Sequence, residues 1–439
     1  MSDQEQKNDM TILPIDSLQG EIIVPGDKSV SHRAVMFGAI NKGKTHITGF
    51  LKAQDCLCTI SAFENMGVEI SVKDNEVTVN GEGMYGLQPP QRSLYLGNSG
   101  TTIRLLSGIL AGQKFESIVT GDEYLVKRPM ERIMEPLKLM GAVIASEENN
   151  GCAPLKIEGV AELNGINYQT KVASAQVKSC VLLAGLYAKG ETTVVEPEQS
   201  RDHTERMLAF FGVPVQKEGL EYKIEGIEEL EAGDKEIQVP GDISSAAFFM
   251  VAGVITENSE ITIKGVGLNP TRSGIVSVLK RMGADLEFTN YQEQYEPICD
   301  INAKSSKLNA IVIEKNEIPN IIDEIPVLCV AAAQAKGTTC IKGIQELRVK
   351  ETDRVESMIS NLSLAGVNIW AEGDDLFIEG LEGPFNGAVF NSFGDHRTAM
   401  AMTVASLIAD DHCQIENVDC VNTSFPNFFE ILSGLKKTG

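Results

Sequence analysis

Six short stretches gather residue types that cap helices, most with a cation close by. They are Asp27-Lys28-Ser29 with Arg33, Asn98-Ser99-Gly100-Thr101 with Arg104, Ser174-Ala175-Gln176 with Lys178, Asp242-Ile243-Ser244, Asp323-Glu324 and Asp395-His396-Arg397. Each stands just ahead of an apolar helical segment and offers an N-capping side chain. Capping alone accounts for Asp242 and Ser244, which have no cation beside them in the sequence. It does not account for Lys28, Arg33 or Arg397. A helix N-terminus favours anions by roughly 0.3–1 kcal/mol, so a cation there is locally unfavourable. An anionic ligand that engages both the cation and the free backbone N–H groups reverses that sign. The pattern predicts anion binding at several helix starts.

Two further runs carry charge without apolar periodicity. Val126-Lys127-Arg128-Pro129-Met130 reads as a strand-to-helix junction, with the proline in the first helical turn. Arg348-Val349-Lys350-Glu351-Thr352-Asp353-Arg354 is dense in both signs. An isolated run of that kind is a solvated surface with pairs worth a few tenths of a kcal/mol. Here, however, both runs fall at the start of a second helix within a repeated unit. A third phosphate signal is misleading. GAINKGKT (38–45) fits the P-loop pattern G-x-x-x-x-G-K-[ST], but that motif requires a strand before it and a helix after it. SVSHRAVMFGAI before Gly38 is helical and HITGF after Thr45 reads as a strand, the reverse order. Lys44 is expected in a solvated turn.

The elements that would position these charges recur along the chain. SHRAVMFGAI, TTIRLLSGIL, VKSCVLLAGL, SSAAFFMVAGVI, PVLCVAAAQA and TAMAMTVASLI are six apolar helical segments with little charge, hence buried. Each leads through a polar or glycine-bearing turn into a short β-rich run. A second phrase also repeats: Met66-Gly67-Val68, Met140-Gly141-Ala142, Phe211-Gly212-Val213, Met282-Gly283-Ala284 and Ala365-Gly366-Val367, with Ser433-Gly434-Leu435 as a degenerate sixth. Each closes an amphipathic helix on a glycine suited to positive φ. A spacing of roughly 70–80 residues marks a repeated two-helix, several-strand unit. Val24-Pro25-Gly26-Asp27 returns as Val239-Pro240-Gly241-Asp242, which we read as two crossings. They predict one domain over 25–240 and a second over 241–439 plus residues 1–24, three repeats in each.

Composition bounds the function. The 439 residues carry a formal net charge of −23 with acids spread along the chain, which argues against nucleic acid or an anionic membrane as partner. Nine cysteines and five histidines show no metal-ligand spacing, and reduced thiols in a cytoplasmic protein are expected. The polar N-terminus has no signal-peptide character, and no apolar run reaches membrane-spanning length.

GDKSVSHRA, LGNSGTTIRL, KRPMERI, SAQVKS, RVKETDR and GDHRTAMA together resemble the 5-enolpyruvylshikimate-3-phosphate synthase family. The resemblance runs from residue 13 to about 430. It implies an α/β (α+β) fold of two domains, each of three βαβαββ units, with the active site in the cleft between them; the two-domain layout in turn predicts closure on binding shikimate-3-phosphate. It implies transfer of the enolpyruvyl group of phosphoenolpyruvate to the 5-hydroxyl of shikimate-3-phosphate, with release of phosphate and no cofactor or metal. A monomer with no macromolecular partner is expected. By motif, Lys28, Ser29, Arg33, Ser174, Gln176, Arg201, Asp323 and Lys350 resemble contacts to shikimate-3-phosphate. Lys28, Gly100, Arg128, Gln176, Arg354 and Arg397 resemble contacts to phosphoenolpyruvate, with Asn98 and His396 in support. Asp323 is expected to take the hydroxyl proton and Glu351 to protonate the methylene carbon, with Lys28 able to share either duty.

Two departures stand out. Ala175 replaces a serine common in the family, which resembles its second class, where glyphosate inhibition is often weaker; Gly100 keeps the small residue that leaves room for that inhibitor. Ser424 stands where many first-class members carry a lysine. Among rivals, the enolpyruvyl transferase acting on UDP-N-acetylglucosamine uses a loop cysteine, and the stretch 118–130 has none. A non-catalytic repeat scaffold would not need Lys28, Arg128, Arg354 and Arg397 at the starts of separate units, and a P-loop hydrolase needs the opposite element order.

Overall fold

A computed structural model describes residues 8–160 and 162–437. Its helices are α1 (Lys28–Ile40), α2 (Gln54–Glu64), α3 (Gly100–Ala111), α4 (Glu131–Leu139), α5 (Ala175–Gly185) and α6 (His203–Phe210), then α7 (Ile243–Ile255), α8 (Gly274–Met282), α9 (Ile325–Ala333), α10 (Arg354–Leu364), α11 (His396–Ser406) and α12 (Phe428–Leu435). The odd-numbered helices are the six apolar segments and are buried along nearly their whole length. A helix that is apolar on all sides has no face to offer water, so it becomes core. The even-numbered helices bury one face only; α8 buries Ile275, Val278, Leu279 and Met282, the i, i+3, i+4 and i+7 positions.

The first five repeats run strand, odd helix, strand, even helix, hairpin; among the described residues the sixth ends after its even helix on Lys436–Lys437, which pairs with Ser17–Ile23 instead. In the second, Leu94–Tyr95 lies parallel to Ser117–Thr120, which pairs antiparallel with Leu155–Glu158, itself antiparallel to Val143–Ser146. The third and fifth repeats build four-stranded sheets of the same order. The first borrows its opening strand from far along the chain, Lys235–Gln238 pairing parallel with Lys42–Thr48. The fourth borrows Ser17–Ile23, parallel to Glu260–Gly267. In the sixth, Met10–Ile12 pairs antiparallel with Cys413–Glu416.

Gly26–Pro240 forms one compact unit, and the described residues up to Pro25 with those from Gly241 onward form the other. Within the first, α3 packs on both α1 and α5. The approach to α5 is so close that a Cβ at Gly108 would lie 2.3 Å from the Cys180 carbonyl oxygen. Within the second, α7, α9 and α11 pack pairwise. The nine cysteines are free.

Gly67, Gly141, Gly212, Gly283 and Gly366 adopt φ between 87° and 99° at the helix ends, as the repeated phrase requires. Gly434 instead lies inside α12, so 433–435 is not a sixth copy. Two local expectations also need correction. Lys44 is not in a turn: the strand begins at Lys42, and Lys44 is an exposed strand residue whose backbone N–H donates to Asp234 Oδ1 at 2.8 Å. Pro129 is not in the first helical turn either. Met130 is the N-cap of α4, and Pro129 lies between it and Arg128, the C-cap of the 3-10 turn Leu125–Lys127.

Candidate active site

In the Gly26–Pro240 unit the starts of α1, α3 and α5 gather the cations. Asp27 caps α1 by accepting from Val30 N, Ser99 caps α3 through Thr102 N, and Ser174 caps α5 through Val177 N. Lys28 is the first residue of α1; its ammonium is half-exposed and paired with Asp55, on the first turn of α2. Arg33 is buried. It donates to Thr204 Oγ1 at 2.7 Å, Ser179 Oγ at 2.9 Å and the Ser29 carbonyl at 3.0 Å. Arg128 donates to Asn98 Oδ1 at 2.5 Å. Arg104 donates to Gln176 Oε1 at 2.6 Å, and Gln176 in turn donates to Thr101 Oγ1 at 3.0 Å. A Cβ at Gly100 would lie 3.0 Å from an Arg128 nitrogen and 3.1 Å from an Arg104 nitrogen. Glycine here lets two guanidinium groups close over the start of α3. Arg201 is half-buried in the loop before α6.

Beneath these groups lies a hydroxyl chain. The buried His32 Nδ1 sits 2.7 Å from Thr59 Oγ1, which is 2.7 Å from Thr102 Oγ1, which is 2.6 Å from Ser99 Oγ. Burial first, and Lys28 second, lower His32 to about 3, so it is a neutral imidazole.

In the other unit the cluster centres on Arg354, the first residue of α10, which is 2% exposed. It donates to Asp395 Oδ2 at 2.8 Å, Glu351 Oε2 at 2.7 Å and Asp323 Oδ1 at 3.4 Å. Asp395 also caps α11 by accepting from Arg397 N and Thr398 N. Arg397 returns along its helix to donate to the Asp323 carbonyl at 2.9 Å. Its second nitrogen lies 3.8 Å from Asp323 Oδ2. His396 Nδ1 lies 3.4 Å from Thr423 Oγ1. Lys350 is partly exposed at the end of the 3-10 turn Gln345–Val349. The expected residues thus form two clusters. Lys28, Ser29, Arg33, Asn98, Gly100, Arg128, Ser174, Gln176 and Arg201 belong to one unit; Asp323, Lys350, Glu351, Arg354, His396 and Arg397 belong to the other.

Fixed guanidinium groups at helix starts, facing carboxylates that share them, suit a reaction between anionic substrates with proton transfer. Residues 12–432 match the family described as EPSP synthase (3-phosphoshikimate 1-carboxyvinyltransferase). The chain belongs to the EPSP synthase family. The 3-phosphoshikimate 1-carboxyvinyltransferase of Geobacter sp. strain M21 is 51% identical over 97% of this chain and 98% of its own length. That of Bacillus cereus strain B4264 is 51% identical over 97% of this chain and 99% of its own. The crystal structure of EPSP synthase from Acinetobacter baumannii superposes with a TM-score of 0.92 at 48% identity, covering 98% of both chains.

Electrostatics separate the two clusters of this EPSP synthase family member. Burial pushes the Glu351 carboxyl up, but Arg354, His396 and a backbone hydrogen bond together draw it down, and the group sits below the usual carboxylate range. Asp395 is likewise raised by burial and brought below its usual value by Arg354, His396 and the Arg397 N–H acting together. Burial lowers His396 to about 4, with Arg397 adding to the effect, so the imidazole is neutral. Arg104 falls to about 10, through burial and then repulsion from Arg128 and Arg132. Three structural roles escaped the sequence reading. Asp242 and Ser244 do have a cation: Arg272 donates to Asp242 Oδ1 at 3.0 Å and Ser244 Oγ at 2.7 Å. Ser244 also donates to Glu324 Oε1. Arg272 lies about thirty residues on, so spacing alone carried no signal for the pair. Arg104 was visible beside its cap, yet its hold on Gln176 needed the contact between α3 and α5.

Proposed function

We propose that the two clusters act on one pair of substrates: the enolpyruvyl group of phosphoenolpyruvate passes to the 5-hydroxyl of shikimate-3-phosphate and inorganic phosphate leaves, a step in chorismate and aromatic amino acid biosynthesis. Each substrate carries a carboxylate and a phosphate, and arginine binds both group types through paired N–H donors. Lys28, Ser29, Arg33, Ser174, Gln176, Arg201 and Lys350 are assigned to shikimate-3-phosphate. Lys28, Gly100, Arg128, Gln176, Arg354 and Arg397 are assigned to phosphoenolpyruvate, with Asn98 holding Arg128 and His396 supporting. The protein works as a cytoplasmic monomer without metal or organic cofactor.

The observation that carries this reading is the sharing of Arg354 between Asp323 and Glu351. Asp323 takes the proton of the 5-hydroxyl as its oxygen attacks C2 of phosphoenolpyruvate, while a proton reaches C3. Phosphate then leaves and the C3 proton is given up, restoring the double bond. Glu351 is the proposed C3 donor. Alone, Arg354 keeps it ionised. A phosphoenolpyruvate anion competing for Arg354 and Arg397 weakens that hold and draws the carboxyl up toward its protonated form. General acid–base catalysis supplies about 10²–10⁴-fold; the fixed cations supply positioning and electrostatic stabilisation.

Asp323→Asn should bind shikimate-3-phosphate near normally while phosphate release falls by about 10²-fold or more. Near-normal turnover would remove Asp323 as the base.

A further inference from the structure

Glu324 adjoins the proposed base and occupies the N-cap position of α9 without making a side-chain capping bond. It is 1% exposed. Instead it accepts a hydrogen bond from Ser244 Oγ, on the first turn of α7. That hydroxyl receives Arg272 Nη2 at 2.7 Å, and the same nitrogen lies 3.0 Å from Asp242 Oδ1. A buried chain therefore runs from Asp242 and Arg272 through Ser244 to Glu324, one residue from Asp323. On its far side Asp323 holds Arg397 through its carbonyl and Arg354 through its carboxylate.

We propose that Glu324, anchored by Ser244 and Arg272, is a positioning residue for Asp323. Without that anchor the Glu324 side chain and the adjoining Asp323 carboxylate can shift, and a misplacement of about 1 Å at a reacting group costs on the order of 10²-fold in rate. The charges acting on Glu324 are Asp323 from its own turn, Arg272 before α8 and Arg397 on α11, and Asp242 before α7 pairs with Arg272. Burial and Asp323 push the Glu324 carboxyl up, more than Arg272 and Arg397 draw it down. Where pH rises through that elevated value, a second buried negative charge appears next to the base and pulls on Arg272 and Arg397. Glu324 thereby sets both the orientation of Asp323 and the pH range in which its surroundings stay intact.

The inference rests on Asp323 being the base. It is tested with Glu324→Gln, Glu324→Ala and Ser244→Ala, with Asp323→Asn in parallel, by steady-state phosphate release across pH. Glu324→Gln keeps the Ser244 hydrogen bond but cannot ionise. We expect kcat within about 3-fold of the wild type and loss of one ionisation from its pH–rate profile. Glu324→Ala and Ser244→Ala break the anchor and should lower kcat by about 10-fold or more, with KM for both substrates within about 3-fold. A purely structural role would move KM and melting temperature and leave the pH profile unchanged. Wild-type kcat in Glu324→Ala or Ser244→Ala, or a Gln variant no better than Ala with an unaltered profile, overturns the inference while an inactive Asp323→Asn keeps the base. An active Asp323→Asn overturns the base assignment and this inference with it.

Discussion

The Arg354 guanidinium is nearly sealed from water and bonded to three carboxylates before any substrate arrives. Removing one partner of such a buried cluster costs roughly 3–5 kcal/mol, because the remaining charges lose their compensation. Arg354→Lys keeps the charge but loses the planar fork. Its kcat/KM for phosphoenolpyruvate should fall by about 10²-fold or more, and an unchanged value would mean that the fork is dispensable. Two lysines distinguish site from decoy. Lys44→Ala alters an exposed strand side chain and should leave turnover within about 2-fold, whereas Lys28→Ala should raise KM and lower kcat together. Equal effects from both would remove Lys28 from its place in the site. The cue to Lys28 and Arg397 was legible because a cation at a helix start runs against the local dipole. The role of Arg272 was not, because it depends on which loop lies over the start of α7, a tertiary fact. Nor was the burial of Arg354 legible, since the run 348–354 reads as a solvated surface until Asp395 is known to sit beside it.

At the scale of elements, the odd helices act both as core and as platforms. Their C-terminal turns are apolar and buried, while their first turns carry the polar groups. The hydroxyl chain from His32 to Ser99 ties α1 and α2 to α3. Keeping His32 neutral has a pH signature. Its folded value, about 3, lies below the unfolded 6.5, so the unfolded chain takes up more protons between these limits. The stability it contributes is complete above pH 6.5 and is lost as pH falls toward 3, about 2 kcal/mol of it by pH 5. The drop in melting temperature from pH 7.5 to pH 5 should therefore be smaller in His32→Gln than in the wild type; equal drops would clear His32 of this role. Gly212→Ala tests the repeated helix end. With φ at 87° and open space around the added methyl, the penalty is conformational alone, about 1–2 kcal/mol by denaturant melt. No loss would show that the end relaxes to another geometry. The helices and their glycine ends were readable because periodicity and positive φ are local requirements. The strand start at Lys42, the place of Pro129 and the merging of Gly434 into α12 were not, because partner strands and packing decide such boundaries.

Across the whole molecule, a strand-helix-strand-helix unit recurs six times, closed by a hairpin in the first five, and segments distant in sequence complete the first, fourth and sixth sheets. Lys235–Gln238 completes the first sheet and Ser17–Ile23 the fourth, so each three-repeat unit is closed by a segment distant in sequence. The repeat count was legible from recurring phrases, but not which strand completes which sheet, because pairing between remote segments leaves no periodic trace. The net charge of −23 does not oppose anionic substrates, since the cations of the two clusters stand at or near helix starts while the acids are dispersed along the chain. The account's central claim is that these clusters serve enolpyruvyl transfer to shikimate-3-phosphate. Its most direct test is phosphate release from phosphoenolpyruvate by the purified full-length protein, without added metal, with shikimate-3-phosphate or UDP-N-acetylglucosamine as acceptor. The account predicts stoichiometric release with shikimate-3-phosphate and none above background with the nucleotide sugar; release with the nucleotide sugar alone would contradict it.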